Sequence, residues 1–421
     1  MQHILLASVA SFGAYFCMYA FRKPFSVATF QDLTFLEIDY KIWLILSQVL
    51  GYMLSKFVGI KVISEMKKKQ RVPYIIGLIA FAEIALILFA VIPQPFNIVC
   101  LFLNGFPLGM IWGIVFSYLE GRRFTEILGI ALSSSFIVSS GFVKSVGKFT
   151  MDQWEVSEFW MPAVTGALFF PFLLLFAYLL EQIPKPTKEE EKLKSKRVRL
   201  SHKERKKIFL RFAFGLTALI LFYIALTAFR DFRDNFSREL WDALGYEESA
   251  GIYTASEIPI AFGVLVILGL LGFIKSNIKA LYTYHYLIFL GTLSIGISTW
   301  FFSKGQLSPV WWMIISGFGL YISYVPFNCI FFDRMIATFK IKGNSGFLIY
   351  LADSFGYLGS MAVLLYKNFG QPSLSWLNFF IKAALLLSVF GSAVIVVSFF
   401  YFKYKFYKSQ KLQSEILAFN E

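Results

Sequence analysis

Apolar runs of about 20 residues follow one another along almost the whole chain, separated by short polar stretches. Each run is long enough to cross a bilayer as a helix. In lipid the backbone groups of a segment must be satisfied within that segment, so helices are the expected elements. The short alternation of an outer-membrane barrel is absent from the pattern. Twelve spans are predicted, near residues 3–25, 40–62, 72–93, 96–119, 126–149, 158–181, 208–230, 249–274, 280–303, 309–333, 345–367 and 376–403. The first run lacks a basic leader and a small-residue cleavage site, so it is expected to remain as the first helix.

The only long polar stretch, "QIPKPTKEEEKLKSKRVRLSHKERKK" (182–207), divides the spans six and six. It is expected to be a basic cytoplasmic linker between an N-terminal bundle, 1–181, and a C-terminal bundle, 208–404, with a cytoplasmic tail over 405–421. A solvated charged linker is the plain reading, and a basic face resting on anionic lipid is the other. Landmarks recur in both halves. "YAFRKPFS" (19–26) parallels "TAFRDFRDNFS" (227–237), "NGFPLG" (104–109) parallels "SGFGLY" (316–321), and "SSF" (134–136) parallels "DSF" (353–355). The matches keep their order and fall on spans six apart, which indicates an internal repeat. A parallel repeat of six helices across a central loop resembles the major facilitator fold. The expected class is therefore an all-α membrane protein, with twelve transmembrane helices in two pseudo-symmetric six-helix bundles.

Composition agrees. Of 421 residues 57% are hydrophobic, and only 16% are charged, against roughly a quarter in soluble domains. The net charge of +14 matters through its placement. With the N-terminus taken as cytoplasmic, the inside loops hold "KKKQR" (67–71), Arg122 and Arg123, the 185–211 segment, Lys275 and Lys279, "KIK" (340–342) and the tail from Lys403. That bias fits a multi-pass protein, in a bacterial cytoplasmic membrane, with both termini inside. Cations dispersed over short loops do not suit nucleic acid. Cys17, Cys100 and Cys329 fall inside apolar spans, too few and too scattered for a disulfide framework, and no metal spacing occurs. No cofactor is expected. No nucleophile motif or nucleotide loop supports an enzyme.

Charged side chains inside spans are costly, so they normally face a cavity and pair there. Arg22, Lys56, Glu83, Lys144, Arg230, Glu257, His285 and Asp353 look deep. Setting Glu83 and His285 aside, four are cationic and two acidic, which favours an anion as the partner. Arg22 lies about 20 residues into its span, roughly 30 Å along a helix. The readings that stand are a cavity-facing group, a side chain snorkelling to the interface, or a pair with Asp231, Asp234 or Glu257. Arg230 has the same depth in the seventh span, and a two-fold axis along the membrane normal would set the two face to face.

The residues also resemble the organophosphate:phosphate antiporter branch of the major facilitator superfamily. That family carries two tyrosines and an arginine in its first helix, matched by Tyr15, Tyr19 and Arg22. Its second helix has a Ser-Lys-Phe stretch, matched in "GYMLSKF" (51–57) by Lys56. Its seventh-helix arginine, eighth-helix glutamate and eleventh-helix Phe-Gly-Tyr-Leu-Gly match Arg230, Glu257 and "FGYLG" (355–359) with Tyr357. Tyr321 is similar in position to a tenth-helix tyrosine. The resemblance implies that Arg22 and Arg230 clamp a phosphate, that Lys56 adds a cation, that tyrosines complete the site, and that the protein is a monomer. There are departures. The family's fifth-helix histidine falls near Val138, with Lys144 as the stand-in, and both Asp353 and the run "RDFRDNF" (230–236) are foreign to it.

The chemistry fits an anion. Guanidinium stays charged under burial and offers a planar fork of donors to phosphate oxygens. Asp353 has two readings, a proton-coupling carboxylate or a fixed partner for Lys144. Glu257 either neutralises Arg230 between substrates or holds its rotamer. Glu120 with Arg122 and Arg123 reads as the inner end of a helix, or as a gate latch. Three functions stay open: a transporter of a small anionic, phosphorylated solute exchanging it for phosphate; a proton-coupled carrier of another solute; and a non-transporting sensor on the same scaffold.

Overall fold

The computed structural model describes residues 2–119, 125–184, 202–341, 346–371 and 373–419. The chain runs through α1 (Gln2–Tyr19), α2 (Tyr40–Glu65), α3 (Arg71–Val91), α4 (Ile98–Leu119), α5 (Thr125–Trp154) and α6 (Met161–Glu181). After the linker come α7 (His202–Arg211), α8 (Ala213–Asn235), α9 (Ser237–Ala243), α10 (Ile252–Leu271), α11 (Asn277–Ser303), α12 (Pro309–Cys329), α13 (Phe331–Thr338), α14 (Gly346–Leu365) and α15 (Trp376–Phe419). Ten of these helices are long and apolar enough to cross a membrane. The shorter apolar α1 and the 20-residue α14 occupy the first and eleventh places in the order. The tenth span is split at Ile330 into α12 and the short α13. The twelfth continues without a break, as α15, far beyond the bilayer length its sequence requires.

The burial pattern is the reverse of a soluble protein's. Phe262, Leu386 and Val389 stand exposed on the outside, while Arg22, Lys23, Lys56, Lys144, Asp231, Arg233 and Asp353 are buried. Apolar side chains face the lipid and the ionisable groups turn inward, as expected where hydrocarbon is the solvent.

Helices α1 to α6 pack mainly on one another, and so do α8, α10, α11, α12, α14 and α15. The halves meet where α5 packs on α10 and α12, and where α2 packs on α14. Glycines set two of these distances. A Cβ on Gly105 would stand 2.2 Å from the Gln48 carbonyl oxygen, so α2 and α4 touch backbone to backbone. A Cβ on Gly141 would stand 2.4 Å from the Tyr253 carbonyl oxygen, which draws α5 onto α10 across the halves. The end of the bundle where α1 ends and α2 begins is called the distal face below. The opposite end, with the N-terminus and α7, is the terminal face.

Candidate functional site

The first span is not one helix up to residue 25. Its last turn tightens, with Ala20, Phe21 and Arg22 donating to carbonyls three residues back, and α1 stops at Tyr19. Pro24 has no N–H to extend the ladder, and a short 3-10 turn, Pro24–Val27, follows. Carbonyls freed by the bend are taken by α2 and α4. Gln48 Nε2 donates to the Arg22 carbonyl at 2.9 Å and to Asn104 Oδ1 at 2.8 Å, and Asn104 Nδ2 donates to the Phe21 carbonyl at 2.9 Å. Arg22 therefore projects from a braced turn. Its side chain is buried, with the guanidinium carbon 3.7 Å from the centre of the Tyr52 ring. It points into the protein, and the snorkelling alternative does not apply. Among the described residues Arg22 Nε has no hydrogen-bond partner.

Between the halves lies a cavity of about 40 Å³, lined among others by Tyr15, Tyr19, Tyr52, Lys56, Trp112, Arg230, Asp353 and Tyr357. That volume holds about three or four waters at roughly 10–15 Å³ each. Lys56 of α2 pairs with Asp353 of α14 across the halves at 3.1 Å, with its ammonium 5.3 Å from the centre of the Tyr52 ring and 5.7 Å from that of Trp112. The Tyr223 hydroxyl donates to Asp353 Oδ1 at 2.7 Å. Arg230 spends its fork within its own half: Nε and Nη2 both donate to Asp231 Oδ1, at 3.1 and 2.6 Å, and Nη1 donates to the Tyr324 hydroxyl. Ser360 holds the other Asp231 oxygen at 2.8 Å. The two arginines are linked through rings rather than facing directly. Arg22 rests on Tyr52, Tyr52 meets Tyr357 at 5.3 Å between centroids, and Arg230 lies 5.9 Å from the Tyr357 ring. Arg22 is not itself part of the cavity lining.

Towards the distal face lies a second layer of charge. Asp234 of α8 takes Lys23 on Oδ2 and Lys144 on Oδ1, each at 2.5 Å and each from the other half. Asn235 Oδ1 accepts a further hydrogen bond from Lys23 at 2.9 Å. Lys41 spans the halves to Glu239 at 2.5 Å. Arg233 pairs with Glu257 within the second half at 2.5 Å. The pairing read off the sequence is corrected in two places. Lys144 binds Asp234 rather than Asp353, and Glu257 binds Arg233 rather than Arg230. Both follow from the turn of α8: Arg233 and Asp234 lie one helical turn distal to Arg230, level with Lys144 and Glu257.

Of the residues singled out from the sequence, Tyr15, Tyr19, Lys56, Arg230, Asp353 and Tyr357 line the cavity, and Arg22 lies against its wall. Tyr321 sits one turn distal, with its ring 6.1 Å from that of Phe136. Lys144 and Glu257 belong to the distal layer, around a void of about 10 Å³. His285 is a core residue, with Nδ1 2.8 Å from the Leu281 carbonyl and Nε2 3.1 Å from Ser398 Oγ. The Glu83 carboxylate rests against Gly166, with Oε2 unpartnered among the described residues. Glu120, Arg122 and Arg123, like linker residues 185–201, lie outside the described residues. Sequence reasoning missed Tyr52, Trp112, Tyr324, Asn328 and Tyr223. Helical spacing could have found three of them: Tyr52 precedes Lys56 by four residues, Tyr324 follows Tyr321 by three, and Asn328 follows Tyr324 by four.

Two six-helix halves around a central polar cavity define the fold of the major facilitator superfamily. Solved structures bear this out. A D-xylose–proton symporter aligns with a TM-score of 0.60 at 14% identity, over 92% of this chain and 96% of its own. A bacterial homologue of the human drug peptide transporters PepT1 and PepT2 aligns with a TM-score of 0.61 at 13% identity, over 96% and 99%. The nucleoside transporter NupG aligns with a TM-score of 0.57 at 14% identity, over 96% and 100%. The chain belongs to a family of unknown function, DUF5690, whose model matches residues 24–405. No curated protein matches the sequence.

Proposed function

We propose that this chain is a secondary active transporter that moves a small anionic solute across a bilayer by alternating access, with phosphate as the exchange partner. The observation that carries the reading is the shared cavity: Lys56 from one half and Arg230 from the other line the same small space, with Arg22 stacked on its wall. Buried cations at membrane depth mark a substrate or ion path. An anion bridging them draws the halves together, which supplies the differential affinity between open and closed states that a cycle needs. In the state described, the distal face is latched by Lys23 and Lys144 on Asp234 and by Lys41 on Glu239. Release of those contacts opens that face. A monomeric carrier in a bacterial cytoplasmic membrane with both termini inside completes the reading, supported by the resemblance of the helices and by the cations along the terminal face.

The test is uptake of labelled phosphate by proteoliposomes preloaded with phosphate. Exchange is expected from the native protein and lost in Arg22→Lys and in Arg230→Lys. Exchange that survives both changes overturns the assignment. Proton coupling is the second reading, favoured by Asp353, whose carboxylate lines the cavity and bridges the halves. Uptake driven by an imposed pH gradient, and lost in Asp353→Asn, would select it. A folded protein that binds the anion and never moves it would be a sensor.

A further inference from the structure

We infer that the cargo is a polyhydroxylated ring carrying one negative charge, of the sugar-acid kind, and not a phosphate monoester dianion. The inference rests on the anion reading above and narrows it.

The charge count is the first observation. Of the three cations at the cavity, two already have a resident carboxylate. Lys56 is matched by Asp353 at 3.1 Å and Arg230 by Asp231 at 2.6 Å. Among the described residues Arg22 has no carboxylate within ion-pair distance, and its buried Nε has no acceptor. One positive charge is therefore left over, and one negative charge completes the set. A dianion would leave a second charge uncompensated in a largely buried site. The distal layer carries one surplus positive charge of its own, two lysines on Asp234, but neither lysine lines the cavity. Lys23 and Lys144 share both oxygens of Asp234 and are completed by Asn235 Oδ1 and the Asp234 carbonyl.

Donor geometry points the same way. Two donors of the Arg230 fork are committed to Asp231 and a third to Tyr324. No pair of free forks waits for the oxygens of a phosphate. Inorganic phosphate meets the charge requirement as its monoanion.

The walls supply the rest. Seven of the twelve lining residues are aromatic, and five of those are tyrosines. Rings offer flat apolar faces to the C–H faces of a ring, and phenolic hydroxyls exchange hydrogen bonds with its hydroxyls. A cargo of this size enters only as the halves part, because the cavity of about 40 Å³ holds no more than a few waters.

The experiment keeps the ring and changes the charge. Purified full-length protein is titrated with glucose, glucuronate and glucose 6-phosphate by calorimetry at pH 8, where the phosphate ester is a dianion. Glucuronate is expected to bind about tenfold more tightly than either of the others, the worth of one charge-assisted contact. Asp353→Asn and Asp231→Asn each remove one resident charge and should move the preference to glucose 6-phosphate. If neither variant folds, the native ranking decides alone. Native preference for glucose 6-phosphate overturns the single-charge assignment and leaves the anion reading standing. Phosphate exchange with no binding of any of the three sugars overturns the ring. Preference for glucose, or absence of both sugar binding and phosphate exchange, removes the anion reading itself.

Discussion

The cavity layer and the distal layer are built from the same residue types and differ in completeness. At Asp234 both carboxylate oxygens carry a lysine, and the void beside them is about 10 Å³. At the cavity the void is about 40 Å³, aromatic rings separate the cations, and Arg22 Nε is left without an acceptor. A buried carboxylate with both oxygens filled by lysines is a lock, because no further ligand can reach it. An unsaturated set is a site, because a ligand can. The same lysines and aspartates thus do opposite work one helical turn apart.

The largest expected effect is at the cavity. Arg22→Lys and Arg230→Lys keep a charge and lose the planar donor geometry. Exchange in preloaded proteoliposomes should fall by at least about 100-fold in each, the order that small misplacements cost at a binding centre. Retained thermal unfolding would show that the bundle is intact.

Next comes the lock. Asp234→Asn strands two buried lysines, and breaking one side of a buried pair costs about 3–5 kcal/mol. The cost falls on the latched state, so the distal face should open. Ser145 and Thr254 meet across α5 and α10 at 2.7 Å between hydroxyls. Cysteines placed at both positions should cross-link readily in the native background and poorly with Asp234→Asn. Unchanged cross-linking would remove the latch.

A smaller effect is expected behind the site. Gln48→Ala leaves the Arg22 carbonyl and Asn104 Oδ1 without the donor that braces them. A buried acceptor left unmade costs about 1–3 kcal/mol. Gln48 is a positioning residue, so KM for the anion should rise more than kcat falls. Equal loss in both would mean that the change acts on the fold as a whole. The smallest effect closes the series. Lys148 pairs with Asp152 four residues on, within α5, at 3.1 Å. The pair bridges nothing, and Lys148→Ala should leave the Ser145–Thr254 cross-link unchanged, with a stability change within about 0.5 kcal/mol.

Much of the architecture was legible before any coordinates. Apolar run length gave the spans, and the repeat of "AFR" near Arg22 and Arg230 gave two halves related about the cavity. Lys56 and Tyr357 were picked out by short motifs, and both line the cavity. The bend after Tyr19 was not legible as the end of α1, because hydropathy does not register the lost donor of Pro24 or the carbonyl caps from Gln48 and Asn104. Nor was the choice between Asp353 and Asp234 as the partner of Lys144, since both lie on helices of the other half.

The sequence by itself determined which segments are helical, that they fall into two related sets of six, and which charges must turn away from lipid. Those outcomes follow from the cost of unsatisfied backbone and exposed charge in hydrocarbon, a cost that each segment meets alone. Only the tertiary structure decided which charge meets which. Pairing depends on rotations of a few tens of degrees and on backbone contacts such as Gly105 on Gln48 and Gly141 on Tyr253. It is those contacts that complete the set around Asp234 and leave Arg22 one carboxylate short.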